Sequence, residues 1–436
     1  MEPVTIGVIG IMFMLFLMAV GVPLAFTFGI VAFLGTVYLM DFDAAMSNLF
    51  LISWSQTSSL TLMAIPLFVV LGELVHVAGI GTDLFNMFSK WFGRLKGGLF
   101  MSTILTGAAF AACSGSSLAS VLTIGKVSYE EMTKREYDFK LTVGSIAAAG
   151  TLAILIPPSN VFVVYSSLTD VSLGKLLLAG IIPGLIVTTI LAVGILLYVS
   201  LKPQVAPAGP PTTWGERFRS LPGGLFVVSL FVLMLGGIFL GFFTPNEAAS
   251  VGVIYALILT ILRKRLTWPN VKTLFYNTVR VSCMLYLIVI MASYYGYFLA
   301  LSTLPMVLAN WVINLQLPPL VLLALMLSIY LPLGCLMEMF AMLVLTLPVL
   351  APIVTKLGFD LIWFGILVTI MCEIGQITPP VGLGVYALKT IAPEASLERL
   401  FSGVGLFVML LFIGFVVIFF FPEAALYLPR LMKGGG

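Results

Sequence analysis

The chain has 436 residues, of which 61% are hydrophobic and only 9% charged, with a formal net charge of +3 and a mean hydropathy of +1.16. A soluble domain carries roughly 25% charged residues, so this composition excludes a water-soluble globule and demands lipid as solvent. The small net charge offers no basic surface for nucleic acid, and the four cysteines, Cys113, Cys283, Cys335 and Cys372, lack CxxC spacing or neighbouring histidines, so they read as small buried residues.

In chain order, the N-terminal MEPVTIGVIG has no basic n-region or cleavage site and reads as the start of a retained span. Spans are predicted at 6–22 and 24–40, separated at Pro23, and at 58–78. A long segment, 98–125, is interrupted by small and polar residues. The next, 141–168, is broken by Pro157-Pro158, and a span at 176–199 follows. The polar stretch 202–222, with Pro203, Pro207, Pro210 and Pro211, reads as a linker. After it the series begins again: 223–243, 246–262, 281–301, the interrupted segment 320–348, the segment 363–390 broken by Pro379-Pro380, and 402–421.

That recurrence keeps register. Pro23 and Pro245, Cys113 and Cys335, and Pro157-Pro158 and Pro379-Pro380 each lie 222 residues apart. Thr57 and Thr278, Thr123 and Thr346, and Leu173-Gly174-Lys175-Leu176 and Leu397-Glu398-Arg399-Leu400 follow within one or two residues of the same offset. The expected organisation is therefore a first repeat, 1–201, a cytoplasmic linker, 202–222, and a second repeat, 223–436.

Lys and Arg in short loops favour the cytoplasmic side. If 98–125 and 320–348 are hairpins that enter and return, the basic loops around 90–96, 126–140, 202–219, 263–280 and 389–399 share that side. Only Lys175, Lys356, Arg430 and Lys433 are then left outside; two full crossings instead would give a somewhat poorer partition. The hairpin arrangement makes about five spans per half, an odd number, which inverts the halves relative to each other and leaves both termini periplasmic. The fold expected is an all-α polytopic membrane protein of two inverted-topology repeats, each with one re-entrant helical hairpin.

The interruptions carry the chemistry. The midpoint of 98–125 reads Cys113-Ser114-Gly115-Ser116-Ser117, where a lipid-facing helix would carry Leu or Ile. Such residues also serve close helix packing. Proline lacks an N–H and removes the bond to the carbonyl four residues earlier. The first proline pair therefore frees the carbonyls of Ala153 and Ile154, and the second those of Gly375 and Gln376. Unless a neighbouring helix satisfies them, a dehydrated Na⁺ fits, together with hydroxyls such as Ser114, Ser116 and Thr378. The half-helices after each pair point their positive ends at the same region and suit an anion.

Glu73, Glu338 and Glu373 lie in apolar segments, where an acid is costly, and each is either a functional group or paired structurally. His76, the only histidine, is placed near a cytoplasmic end and expected to pack. No Lys or Arg falls within the predicted spans, and there is no HExxH or GxSxG, which argues against an enzyme. A standalone ion-coupled anion transporter of related inverted-hairpin fold is the neighbouring alternative.

The runs CSGSSLASVLTIG (113–125), GTLAILIPPSN (150–160) and EIGQITPPVGLGVY (373–386) resemble signature stretches of the large membrane subunit of tripartite ATP-independent periplasmic (TRAP) transporters, and the resemblance covers essentially the whole chain. It implies import of small organic acids, of dicarboxylate or sugar-acid type, by Na⁺ symport with an elevator mechanism in a bacterial inner membrane. It further implies two separate partners: a small membrane subunit of about four helices and a periplasmic substrate-binding protein. By the same resemblance one Na⁺ site would use Ser114, Ser116 and backbone at Ala153, Ile156 and Pro158, and a second Gly334, Gly375, Thr378 and Pro380. Ser117, Asn160 and Glu338 would contact substrate. Ala153 stands where glycine is expected in this family, and Glu338 where Asp is expected.

Overall fold

Backbone surrounded by hydrocarbon must satisfy its own hydrogen bonds, which leaves helices as the means of crossing. The computed structural model describes residues 2–380 and 382–432, so Lys433 lies outside the described residues. The first half contains α1 (Pro3–Ala19), α2 (Leu24–Leu39), α3 (Phe42–Thr57), α4 (Ala64–Ala78), α5 (Ile80–Phe92), α6 (Gly98–Ser114), α7 (Ser117–Lys134), α8 (Phe139–Leu155), α9 (Asn160–Thr169), α10 (Leu173–Ala179) and α11 (Ile181–Leu201). After the short α12 (Trp214–Arg219) come α13 (Leu221–Phe239), α14 (Pro245–Leu262), α15 (Trp268–Leu301), α16 (Leu304–Asn314), α17 (Pro319–Ser328), α18 (Tyr330–Leu336) and α19 (Met339–Lys356). The chain continues with α20 (Leu361–Gln376), α21 (Leu383–Ile391), α22 (Leu397–Phe420) and α23 (Glu423–Leu431). Among the described residues, seven helical stretches are long and apolar enough to cross a membrane, and nine if two bent pairs each count as one.

The bends have local causes. Gly79, at φ +77°, ends α4 in the left-handed region that glycine tolerates, and α5 leaves at 61° to it. Pro157-Pro158 separates α8 from α9 by 43°. Elsewhere the helix starts follow sequence signals: Thr244 and Glu247 form a reciprocal capping box on α14, and Thr213 and Glu216 do the same on α12. In the latter, the Thr213 backbone N–H and hydroxyl donate to the Glu216 carboxylate and hold it below the usual range.

Two helices form the centre. Every residue of α8 from Leu141 to Leu155 and of α20 from Ile362 to Gln376 is buried, the pattern of a helix enclosed on all sides. Small residues bring the surrounding helices onto them. A Cβ on Gly144 would fall 2.2 Å from Gly403 O on α22, and one on Gly107 of α6 would fall 2.5 Å from Ala149 O. α18 meets α20 through Gly334 and Gly375, where a Cβ on either would lie 2.7 Å from the other's Cα. A separate, smaller core joins α1, α2, α15 and α16. Within it Phe298 fills the notch left by Gly10 and Gly35.

Several boundaries differ from the sequence reading. The first interrupted segment continues to Lys134 rather than 125, because its polar second half, Lys126 to Lys134, is still helical and exposed on one face. The second runs on to Lys356. The spans expected at 58–78 and 281–301 start at Ala64 and Trp268. Helices α3, α5, α16 and α23 were not anticipated; α5 and α23 are strongly two-faced and too polar to register as spans. Cys283, expected to be buried, is exposed.

The stretch 202–222 is docked rather than loose. Gly209 N donates to Gly93 O at 2.9 Å, Thr212 Oγ1 to Lys90 O at 2.8 Å, and Asp138 N to Val205 O at 2.9 Å. Trp91 meets Trp214 and Phe218 edge-on. Its prolines, which read as linker composition, instead hold a strap over the ends of α5 and α8.

Gly144→Val should lower the thermal midpoint of the purified chain, an overpacking cost of about 1–3 kcal/mol, because α22 has no room to retreat from α8. An unchanged melting curve in detergent would show that the α8–α22 backbone contact is not made.

Candidate functional site

Both central helices end in a proline pair, and each end is covered by the tip of a hairpin. α6 stops at Ser114, Gly115 turns at φ +60°, and α7 starts at Ser117 with Ser116 as its cap, accepting from Ala119 N at 3.4 Å. The turn needs glycine on two counts: its φ is positive, and a Cβ would lie 3.0 Å from Pro158 O. The first tip therefore sits directly on the first break. In the second half, Cys335 Sγ donates to Pro379 O at 3.1 Å and Gly382 N donates to Cys335 O at 3.1 Å. Here too the end of α18 lies on the break.

The two breaks are not equally enclosed. Residues 151–160 are all buried, whereas Pro379 and Pro380 are exposed and Thr378 is half-buried. Among the described residues, no backbone N–H outside the helices donates to Ala153 O or Ile154 O, and the prolines that follow have none to give. The expectation for the second break needs correction, since Gly375 O accepts from Thr378 N at 3.0 Å. Its second lone pair remains available. Thr378 Oγ1 itself donates to Ile374 O at 2.6 Å, and Ser114 Oγ is 2.9 Å from Ser120 Oγ. Both hydroxyl oxygens keep lone pairs.

Beside the tips lies a cavity of about 640 Å³. Its walls include the starts of four helices: Ser117 to Ala119 of α7, Asn160 and Val161 of α9, Met339 and Phe340 of α19, and Leu383 and Gly384 of α21. Each helix start exposes N–H groups without intrahelical partners and the positive end of its dipole. No Lys or Arg lines the cavity among the described residues. The opposite wall comes from α4 and α15, through Gly72, Glu73, His76 and Asn277. A Cβ on Gly72 would lie 2.8 Å from Ser114 O, so α4 rides closely on the first tip.

Of the residues singled out from sequence, Ser114, Ser116, Ser117, Asn160 and Glu338 line this cavity. Ala153, Ile156 and Pro158 are buried behind the first tip. Gly334 and Gly375 are in backbone contact, and Thr378 and Pro380 lie at the outer edge of the second break; none of the four lines the cavity. Glu338 caps α19 by position only, with no side-chain bond to its N–H groups.

The α4–α15 wall is what sequence reading missed. His76, expected to pack, instead lines the cavity with Nδ1 2.9 Å from Thr123 Oγ1 of α7. Glu73 Oε2 accepts from Asn277 Nδ2 at 3.2 Å. A polar residue at 277 facing an acid at 73 was a signal, but nothing local in the chain pairs positions so far apart. Glu373 is 3% exposed, with neither carboxylate oxygen hydrogen-bonded among the described residues.

Comparison with known proteins places these features in a family. The family described as tripartite ATP-independent periplasmic transporter, DctM component, matches residues 11–424. The chain belongs to that family. It is the large permease component of a TRAP transporter, and it is similar to the C4-dicarboxylate TRAP transporter large permease protein DctM of Pseudomonas aeruginosa, at 33% identity over 85% of this chain and 86% of the relative. Similarity to the sialic acid TRAP transporter large permease protein SiaM of Vibrio cholerae is likewise 33%, over 86% and 88%. In fold, this TRAP permease resembles the YdaH transporter of Alcanivorax borkumensis, with a TM-score of 0.66 at 14% identity, covering 88% and 90% of the two chains.

In a background with Cys283 replaced by serine, Leu118→Cys should react with a small water-soluble thiol reagent, since Leu118 is 55% exposed and lines the cavity, while buried Cys113 should not. Labelling of Cys113 at the rate of the introduced thiol would contradict a closed first break.

Proposed function

We propose that this permease is the translocating subunit of a Na⁺-driven importer of small organic acids, working by an elevator mechanism. The convergence of four helix starts on one cavity free of Lys and Arg carries this reading. Such a site holds an anion by N–H groups and dipoles rather than by a fixed countercharge, which leaves the anion free to depart.

Na⁺ is the coupling ion in this reading. The first site takes Ser114, Ser116 and backbone at Ala153, Ile156 and Pro158; the second takes Gly334, Gly375, Thr378 and Pro380. Support comes from the donor set: carbonyls of Ala153 and Ile154 without a donor, and hydroxyl oxygens with spare lone pairs. These hard oxygen ligands suit an alkali cation, and their satisfaction by protein alone is incomplete. The ion is cargo, bound and released with each cycle.

Inverted repeats supply the moving part. The helices starting at Ser117 and Phe139 have counterparts starting at Met339 and Leu361, each 222 residues on, and both hairpin tips cover the break of their own half. The hairpins, α8, α9, α20 and α21 would move as one body past a frame that includes α4 and α15. Both termini are periplasmic, and the basic loops face the cytoplasm. A small membrane subunit of about four helices steadies the frame, and a periplasmic binding protein delivers the acid.

Ser116→Ala and Thr378→Ala should each weaken the Na⁺ dependence of uptake in vesicles containing all three components, by about tenfold in half-saturating Na⁺; two variants with the parent's Na⁺ response would remove the site assignment. Separately, Glu136→Cys, in the turn after α7, should be protected from impermeant reagents added outside intact cells. Ready labelling there would reverse the orientation.

A further inference from the structure

The proposed function leaves the cavity with a charge problem that its own residues define. Two carboxylates, Glu73 from α4 and Glu338 from the second hairpin, line the space without any Lys or Arg among the lining residues. The residues taken for Na⁺ at 153–158 and at 334 and 375–380 do not line it, so those ions would neutralise the breaks rather than the cavity. Glu73 has one oxygen engaged by Asn277 Nδ2, and Glu338 makes no capping bond to α19. A third acceptor points the same way: Asn160, 5% exposed and lining the cavity, holds its Oδ1 buried without a hydrogen-bond donor. Orphaned acceptors beside anionic groups are complementary to N–H donors that carry positive charge. The helix starts around the same space remain complementary to a carboxylate.

We infer that the cargo of this permease is an amino-type acid, a small zwitterion whose carboxylate faces the helix starts while its protonated amine is held by Glu73, Glu338 and Asn160 Oδ1. This rests on the proposed reading of the cavity as the cargo site and narrows it. A dianion such as a C4-dicarboxylate would set a second negative charge against two carboxylates with nothing to offset it. A zwitterion leaves the cavity's net charge unchanged on binding. Asn160 selects for an amine that retains N–H over a quaternary ammonium, which has no hydrogen to give.

The test uses matched pairs that differ at the amine. Binding of γ-aminobutanoate and pentanoate, of proline and cyclopentanecarboxylate, and of succinate is measured on the purified full-length chain by calorimetry, in Na⁺ and in choline. In Na⁺ the ammonium member of at least one pair should bind about tenfold tighter than its carbon counterpart and than succinate. In Glu73→Gln and Glu338→Gln that ratio should fall toward one. Carbon counterparts or succinate binding as well as the amines, with Na⁺ dependence intact, would overturn the zwitterion and leave the proposed transport reading standing. An ammonium preference that is indifferent to Na⁺ would uphold the zwitterion and sink Na⁺ coupling. Should no compound bind in either salt, both fall.

Discussion

The structure depends on how two proline pairs, each at the end of a helix buried on all sides, are kept from exposing bare backbone. A proline pair removes two N–H groups where α8 and α20 stop, and each carbonyl left without a donor in a dry interior costs about 1–3 kcal/mol. Both ends are met by a hairpin tip from the same half, through the Gly115 turn over Pro158 in one and the Cys335 bonds to Pro379 and Gly382 in the other. The tips cover the breaks without fully satisfying them, and that incompleteness is the feature on which the proposed ion sites rest.

Close backbone approach follows from the same requirement. A tip can reach a break only if the helices carrying it lie against the central pair. Accordingly the contacts of α6 with α8, α22 with α8, and α18 with α20 each run through a glycine whose missing Cβ would overlap the neighbouring backbone. Larger residues there would lift the tip from the break. The first break is sealed and the second partly open, so the two are not equivalent in this conformation despite their matched surroundings. The strap 202–222, bonded to the ends of α5 and α8, further ties the halves at one end.

The cavity's character comes from elements that are remote in sequence. Helix starts from both halves supply positive dipole ends, and α4 and α15 supply the acids, amide and imidazole opposite them. Neither set forms a site alone. His76 to Thr123 and Gly72 to Ser114 are contacts between the wall and the first hairpin, and under an elevator mechanism these are surfaces that must part.

By itself the sequence determined the membrane environment, the positions where helices are interrupted, and the residues at the hairpin tips. Composition, proline chemistry and small-residue runs act locally, so Ser114, Ser116, Ser117, Asn160 and Glu338 were legible without coordinates, and family membership was legible in three short runs. Only the tertiary structure decided that Asn277 faces Glu73, that His76 reaches Thr123, that Gly375 O has found a donor in Thr378 N, and that the prolines of 202–222 form a strap. Local pattern reports what a residue can do, whereas partnership depends on which helices meet. That is settled by packing over the whole chain, and no short-range signal encodes it.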